Sequence, residues 1–226
     1  FIFKHDYLDE KISKDGAFRF HSNYGEAYMN IIASCNETDR ICIVTYDDNS
    51  YVNMNFRPMD LTGKSVANEI ATKFFPQRST NIWKGLHTSL ELLRENFSPD
   101  RMSSVMFFTD ASRQGLHSPP RGEGEMLKRY LEQYPEFKFT IDTFGFGNEI
   151  AEDILLSFSE PTLGSFKHIP SSDMVGTIFI NHIATQRSLI TKNVSLSIDL
   201  RIQEYAINLL KSHRALNEDL NQLTFN

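Results

Sequence analysis

Apolar residues recur along this chain in two patterns that alternate with each other. Consecutive or alternating apolar positions predict strands, whereas apolar positions three or four residues apart predict helices. The predicted strands are Ile2–His5, Arg40–Tyr46, Tyr51–Phe56, Val105–Phe108, Phe137–Phe144 and Ser165–Ile169. The predicted helices are Tyr24–Ile32, Val66–Phe74, Trp83–Asn96, Met126–Tyr134, Ile150–Phe158 and Met174–Leu189. This alternation predicts an α/β fold with a mostly parallel sheet and helices on both of its faces.

Two segments between these elements indicate where the sheet presents its loops. Asp47–Ser50 has the composition of a hairpin turn, which predicts that the strand after it is antiparallel to the strand before it. The run Val105–Phe108 is apolar at every position, as expected of a central strand covered on both faces. The segment Asp110–Gly124, which is rich in proline, glycine and serine, predicts a long surface loop. Ligands of such folds gather at the carboxyl ends of the strands.

Four segments resemble, in their order, the landmarks of the von Willebrand factor A domain. They are Arg40-Ile-Cys-Ile-Val-Thr-Tyr46, Ser79-Thr-Asn-Ile-Trp-Lys-Gly-Leu86, Val105-Met-Phe-Phe-Thr-Asp110 and Thr143-Phe-Gly-Phe-Gly147. The resemblance implies that residues 1–192 form one such α/β domain. In that family a divalent cation lies at the carboxyl end of the sheet and accepts a carboxylate from a partner protein.

The metal loop of this chain departs from the family pattern. Asp6, Thr80 and Asp110 match three of the family's ligand positions, but Leu8 and Glu10 replace the two serines of the first loop. Leucine has no lone pair to donate to a hard cation, and the charge of a glutamate neutralises the site. We therefore expect Asp6, Thr80 and Asp110 to be remnants of a metal site, with no bound metal and no cofactor.

No other group of residues makes a persuasive catalytic site. The seven histidines lack the spacing of a helical zinc site. Gly145 and Gly147 lack the third glycine of a dinucleotide fingerprint, so a turn at a strand end explains them better. Asp47 and Asp48 are adjacent and are expected to point apart, as in a hairpin turn. We expect a protein that is not an enzyme and has no small-molecule substrate.

The net charge and the two cysteines indicate which classes of partner and which cellular compartment to expect. The net charge of −6 comes from interspersed acidic and basic residues, which disfavours nucleic acid and membrane surfaces as partners. Cys35 and Cys42 are the two cysteines, and a buried thiol in the strand is a better interpretation of Cys42 than a disulfide. These features favour a cytoplasmic or nuclear protein.

The last residues add elements to the simple family pattern. The segment Asn193–Asp199 alternates like an additional strand, and apolar residues from Ile202 to Leu223 follow at helical spacing. We therefore treat residues 193–226 as a C-terminal strand and amphipathic helix. The helix is expected either to dock on its own domain or to engage a partner or a second copy.

Two classes of function remain open at this point. The first is an intracellular protein-interaction module, with scaffolding of a MAP kinase cascade, and therefore protein kinases as partners, as its sharpest form. The second is a metal-dependent ligand-binding domain of the adhesion type. In either class the carboxyl-end loops are the expected contact surface. The candidate partner-binding residues in the long loop are Arg113, His117, Arg121 and Glu123.

Overall fold

A computed structural model of the 226-residue chain describes the backbone of residues 2–4, 23–71, 81–109, 117–147, 150–170, 174–188, 196–199 and 222–225. The chain divides into two compact units, residues 1–183 and 184–226. The predicted boundary after residue 192 falls within the second unit. Within the described residues, no helix has both the length and the hydropathy needed to cross a bilayer.

The first unit is built on a six-stranded sheet. Its strands, in chain order, are β1 (Ile2–Lys4), β2 (Arg40–Tyr46), β3 (Ser50–Pro58), β4 (Ser104–Thr109), β5 (Thr140–Phe146) and β6 (Phe166–Ile169). In space they follow the order β3-β2-β1-β4-β5-β6. β3 is antiparallel to β2, whereas all the other pairs are parallel. This arrangement confirms the predicted fold class, including the hairpin and the central position of β4.

Helices cover both faces of this sheet. Successive side chains along each strand point to opposite faces, and the apolar ones on each face pack against the helices there to form two separate cores. The helices are α1 (Asn23–Ser34), α2 (Leu61–Ala71), α3 (Ile82–Glu95), α4 (Glu123–Gln133), α5 (Glu152–Ser159) and α6 (Val175–Ser188). One core joins α1, α2 and α6 to strand residues that include Ile43, Phe108 and Phe144. The other joins α3, α4 and α5 to strand residues that include Phe107 and Ile141.

Three elements begin three or more residues away from the predicted start, each for a local reason. α2 begins at Leu61 because the Asp60 side chain caps it, with Oδ1 accepting from the Gly63 amide at 2.7 Å. α4 begins at Glu123, where Gly122 adopts a φ of 78° that turns the chain into the helix. β5 begins only at Thr140, because the preceding Phe137 packs its ring in the core from a loop.

The second unit contains a two-stranded antiparallel sheet of β7 (Leu196–Asp199) and β8 (Gln222–Phe225). β7 confirms the additional strand predicted in this region. The helix predicted to continue to Leu223 is wrong at its end, where an alternating segment pairs with β7 and obtains its backbone hydrogen bonds there. Residues 200–221 of that prediction lie outside the described residues.

Candidate interaction site at the carboxyl edge of the sheet

The predicted metal positions cannot be placed in the structure. Asp6, Leu8, Glu10, Thr80 and Asp110 lie outside the described residues. The remnant metal site therefore stays a prediction from the sequence. In the part of the chain that the structure does describe, no three His, Cys, Asp or Glu side chains are grouped so that they could hold a metal ion.

Asp47 joins two structural elements where β2 ends. Its side chain is almost completely buried, with 2% exposed, and its Oδ1 accepts from the backbone N–H of Asn49 at 2.6 Å. Its backbone carbonyl accepts from the N–H of Asn81, the N-cap of α3, at 2.7 Å. One residue thus ties the β2–β3 turn to the beginning of α3. The predicted turn chemistry at this position is confirmed.

The residues next to Asp47 carry exposed polar groups over this edge. Lys84, in the first turn of α3, donates from Nζ to the Asn49 side-chain oxygen at 2.7 Å. His117 Nδ1 lies 3.3 Å from Asp48 Oδ1, and both side chains are more than half exposed. We call Asp48, Asn49, Lys84 and His117 the carboxyl-edge cluster. It joins the β2–β3 turn, the first turn of α3 and the loop between β4 and α4.

The other candidate residues of the long loop differ in their accessibility. Arg121 is exposed, and Arg113 lies outside the described residues. Glu123 is 4% exposed, and its Oε1 has no hydrogen-bond partner. Its position at the first residue of α4 explains why a carboxylate is tolerated there, because the helix N-terminus favours negative charge. Glu123 therefore presents no accessible carboxylate to a partner in this structure.

The turn after β5 also lies at this edge. Gly147 has a φ of 89°, a conformation that favours glycine, and its N–H donates to the Ile169 carbonyl at 3.0 Å. At Gly145, a β-carbon would lie 2.5 Å from the end of the Ile150 side chain, so a larger residue there would require that side chain to move. The strand-end interpretation of these two glycines accounts for both positions without a nucleotide.

A buried polar network in the amino-terminal half of β5 contains serine, aspartate and histidine. Asp142 Oδ1 accepts from the backbone N–H and the hydroxyl of Ser165, at 2.9 and 2.8 Å. Asp142 Oδ2 accepts from Ser104 at 3.3 Å and lies 3.6 Å from His182 Nε2. A serine nucleophile needs its hydroxyl on the histidine, whereas here both hydroxyls bond to the aspartate. This arrangement joins β4, β5 and α6 and is suited to holding them together.

No protein-family model and no curated protein sequence matches this chain. Among solved structures, von Willebrand factor type A from Catenulispora acidiphila is similar with a TM-score of 0.67 at 14% identity, over 87% of this chain and 44% of that one. Proximal thread matrix protein 1 from the mussel byssus, also solved with a zinc-occupied MIDAS motif, is similar with a TM-score of 0.55 at 19% identity, over 82% of this chain and 44% of that one. BatB from Bacteroides thetaiotaomicron has a TM-score of 0.57 at 10% identity, over 83% of this chain and 97% of that one.

The chain thus spans less than half the length of the first two proteins, and identities this low bear on the fold alone. The order of the strands, the antiparallel β3 and the two helical layers agree with that similarity. This chain has a von Willebrand factor A-like α/β fold.

Proposed function

We propose that this chain is a non-catalytic protein-interaction module whose partner contacts the loops at the carboxyl edge of the sheet. The fold supports the proposal, because α/β sheets of this kind hold carboxyl-end loops on rigid elements while leaving the loop sequences free to vary.

The contact between the His117 and Asp48 side chains is the observation that carries the proposal. It connects two loops that are far apart in the sequence, and both of its side chains remain more than half exposed. An exposed pair of this kind contributes little to stability, on the order of 0–1 kcal/mol. Its groups are therefore available to exchange partners at a protein interface, where charged rims guide association and orientation.

The sharper form of the proposal names protein kinases as partners, with the domain as a scaffold in a MAP kinase cascade. This form rests on the overall character of the sequence and not on a matched motif. A cytoplasmic or nuclear location belongs to the same proposal and is supported by Cys35 and Cys42, which form no disulfide in the structure.

A pair of matched double variants tests the contact surface. His117→Ala with Arg121→Ala removes two exposed basic side chains from the loop between β4 and α4. Arg101→Ala with Lys138→Ala removes two exposed basic side chains that precede β4 and β5, at the opposite edge. Affinity purification followed by mass spectrometry is expected to lose specific partners only with the first pair. Equal recovery by both double variants, with unchanged melting temperatures, would contradict the proposed surface.

Reconstitution tests the kinase form separately. The purified domain is mixed with a MAP kinase and its activating kinase, and the rate of phosphorylation is measured over a range of domain concentrations. A scaffold is expected to raise the rate and then lower it at excess, when the two kinases occupy different copies. A rate that does not depend on the domain excludes kinase scaffolding but leaves the interaction surface open to other partners.

The second candidate function is metal-dependent binding of the adhesion type. It is favoured by the similarity to proximal thread matrix protein 1, whose MIDAS motif was solved with zinc. Because Leu8 supplies no ligand, we expect calorimetry to detect no micromolar binding of Mg²⁺ or Mn²⁺. Micromolar binding that Asp110→Ala abolishes would replace the first proposal with this one.

A further inference from the structure

Two serines of this chain begin the same short pattern, which is serine, proline, any residue and arginine. The first is Ser98-Pro-Asp-Arg101, and the second is Ser118-Pro-Pro-Arg121. Proline-directed protein kinases modify a serine that directly precedes proline, because proline has no N–H and enters an apolar kinase pocket without leaving a donor unpaired. The arginine adds a charge that an acidic kinase surface can bind. The pattern alone does not distinguish between the two serines.

The first of these motifs is fixed in place by the structure around it. Ser98 is half-buried, and its carbonyl accepts from the Arg101 N–H at 3.1 Å, so the motif is folded into a tight turn. The Arg101 guanidinium donates to the Thr38 carbonyl. Phe97, directly before the motif, packs its ring edge to face on Phe137 of the core, with 5.2 Å between centroids. A kinase would have to pull Phe97 from this packing to extend the segment in its active site.

The second motif lies on the surface, in the loop between β4 and α4. Ser118, Pro120 and Arg121 are exposed. A residue before proline is biased away from helical conformations toward the extended ones that a kinase active site accepts. The turn after Ser118 is closed by a backbone hydrogen bond from the Gly122 N–H to the Pro119 carbonyl at 2.9 Å. None of the residues from 118 to 121 belongs to either core, so opening this turn extends the motif without disturbing the packing.

We propose that Ser118 is a phosphorylation site for a proline-directed serine/threonine kinase. Ser118 Oγ forms a bond to the γ-phosphorus of ATP, and the bond from that phosphorus to the oxygen that bridges it to ADP breaks. The hydroxyl proton passes to the catalytic base of the kinase. The products are ADP and a chain that carries phosphoserine. The kinase is a separate protein, and ATP is its second substrate.

A phosphate on Ser118 changes the charge of the carboxyl-edge cluster. It brings about 1.5–2 negative charges at pH 7 and three strong acceptor oxygens. Ser118 directly follows His117, whose Nδ1 lies 3.3 Å from Asp48 Oδ1. The phosphate repels the Asp48 carboxylate and competes with it for His117, and Arg121 offers the phosphate a second basic group. Phosphorylation is therefore expected to control partner binding at this edge, a consequence that rests on the proposed function.

Phosphorylation of the folded chain and of two synthetic peptides tests the site. The peptides cover residues 93–105 and 113–125, so each contains one motif without the fold. An active MAP kinase and an active cyclin-dependent kinase are each supplied with ATP, and mass spectrometry locates the phosphate. The rate at each serine of the folded chain is divided by the rate in its own peptide. This ratio is expected to be at least about tenfold higher for Ser118 than for Ser98, because modification of Ser98 needs local unfolding of packed residues.

Three variants of the folded chain identify the class of kinase. Ser118→Ala should remove most of the phosphate, whereas the matched control Ser98→Ala should leave the rate unchanged. Pro119→Ala should slow the reaction by about tenfold to a hundredfold, because alanine restores an N–H that stays unpaired in the kinase pocket. Equal ratios at the two serines, or no phosphate on Ser118 with either kinase, would overturn the proposal. Modification of Ser118 that does not depend on Pro119 would overturn the proline-directed class.

Partner recovery tests the consequence for the carboxyl edge. The original chain and Ser118→Ala are both treated with kinase and ATP and then compared by affinity purification and mass spectrometry. Partners that the His117→Ala, Arg121→Ala double variant loses are expected to bind the phosphorylated chain less, because the phosphate engages these two basic side chains. Unchanged recovery would overturn the control of binding. If the double variant itself loses no partner, the proposed function and this control are both wrong, whereas phosphate located on Ser118 still establishes the site.

Discussion

Replacement of Phe107 by alanine tests the packing on which the sheet depends. Phe107 lies in β4, between β1 and β5, and its side chain is 0% exposed. Its ring stacks on Tyr46 with 5.3 Å between centroids and meets Phe158 edge to face at 5.9 Å. The substitution removes a fully buried aromatic ring and two ring contacts from the core between the sheet and α3, α4 and α5.

The expected loss follows from measured costs of such truncations. Phenylalanine to alanine in a core lowers the free energy of unfolding by about 3–5 kcal/mol. For a domain of this size, each kcal/mol shifts the melting temperature by about 2–4 °C, so we expect a decrease of about 6–20 °C. Phe107→Leu keeps more of the volume and is expected to lose less.

Urea unfolding and thermal melting of the same samples provide the measurement. The matched control is Met102→Ala, because Met102 lies in the loop before β4 and is 61% exposed. A change of less than about 0.5 kcal/mol is expected there, as is usual for exposed positions. If Phe107→Ala changes stability as little as Met102→Ala does, β4 is not the buried central strand described above.

Three further substitutions or measurements test separate parts of the structure. Gly85→Ala should lower the free energy of unfolding by about 1–3 kcal/mol, because a β-carbon there would lie 2.6 Å from the Tyr46 ring. An unchanged melting temperature would contradict this close approach. A hydrogen bond from Arg94 lowers the pKa of the Glu91 carboxyl, so Glu91 contributes stability at neutral pH that is lost as the pH falls through that lowered pKa. Glu91→Gln should therefore lower the free energy of unfolding by at most about 1 kcal/mol at pH 7 and leave it unchanged in acid, as measured by urea midpoints. A loss of stability that persists in acid would show that it does not come from the charge of Glu91. Burial raises the pKa of the Cys42 thiol, so the rate of its alkylation should increase only at a pH above the one at which free cysteine begins to react. A pH profile equal to that of free cysteine would show that the thiol is exposed to water.

The sequence predicted the fold well where a local pattern and the tertiary structure require the same thing. Arg40–Tyr46 was predicted with the bounds that β2 has, because a strand buried on both faces needs apolar residues at successive positions. Element ends were harder to predict when they depend on a single polar residue. Asp60 caps α2 six residues before Val66, the first apolar position used to predict that helix, and an N-cap rule applied to this aspartate would have found the start.

The candidate site was less predictable, because its contacts join loops that are distant in the sequence. The long loop after β4 was predicted to carry His117, but its partner Asp48 follows from the packing of the β2–β3 turn beside that loop. Glu123 illustrates the opposite case. Its charge indicated an exposed contact residue, but α4 begins at this residue and buries the carboxylate. Composition cannot distinguish these outcomes, since both residues lie in the same polar segment.

The hydrogen bonds of Asp47 lie directly beneath the exposed carboxyl-edge cluster. Its sequence context requires only a tight turn, and the bond from Asn49 to its carboxylate meets that requirement. Its backbone carbonyl also accepts from the N–H of Asn81, the N-cap residue of α3, so Asp47 connects the turn to the helix. Asn49 accepts from Lys84 Nζ at 2.7 Å and Asp48 Oδ1 lies 3.3 Å from His117 Nδ1, so the turn that Asp47 holds provides a contact for both of these side chains. The exposed groups of the carboxyl-edge cluster are thus placed by buried backbone geometry, which lets their side chains change without loss of the fold.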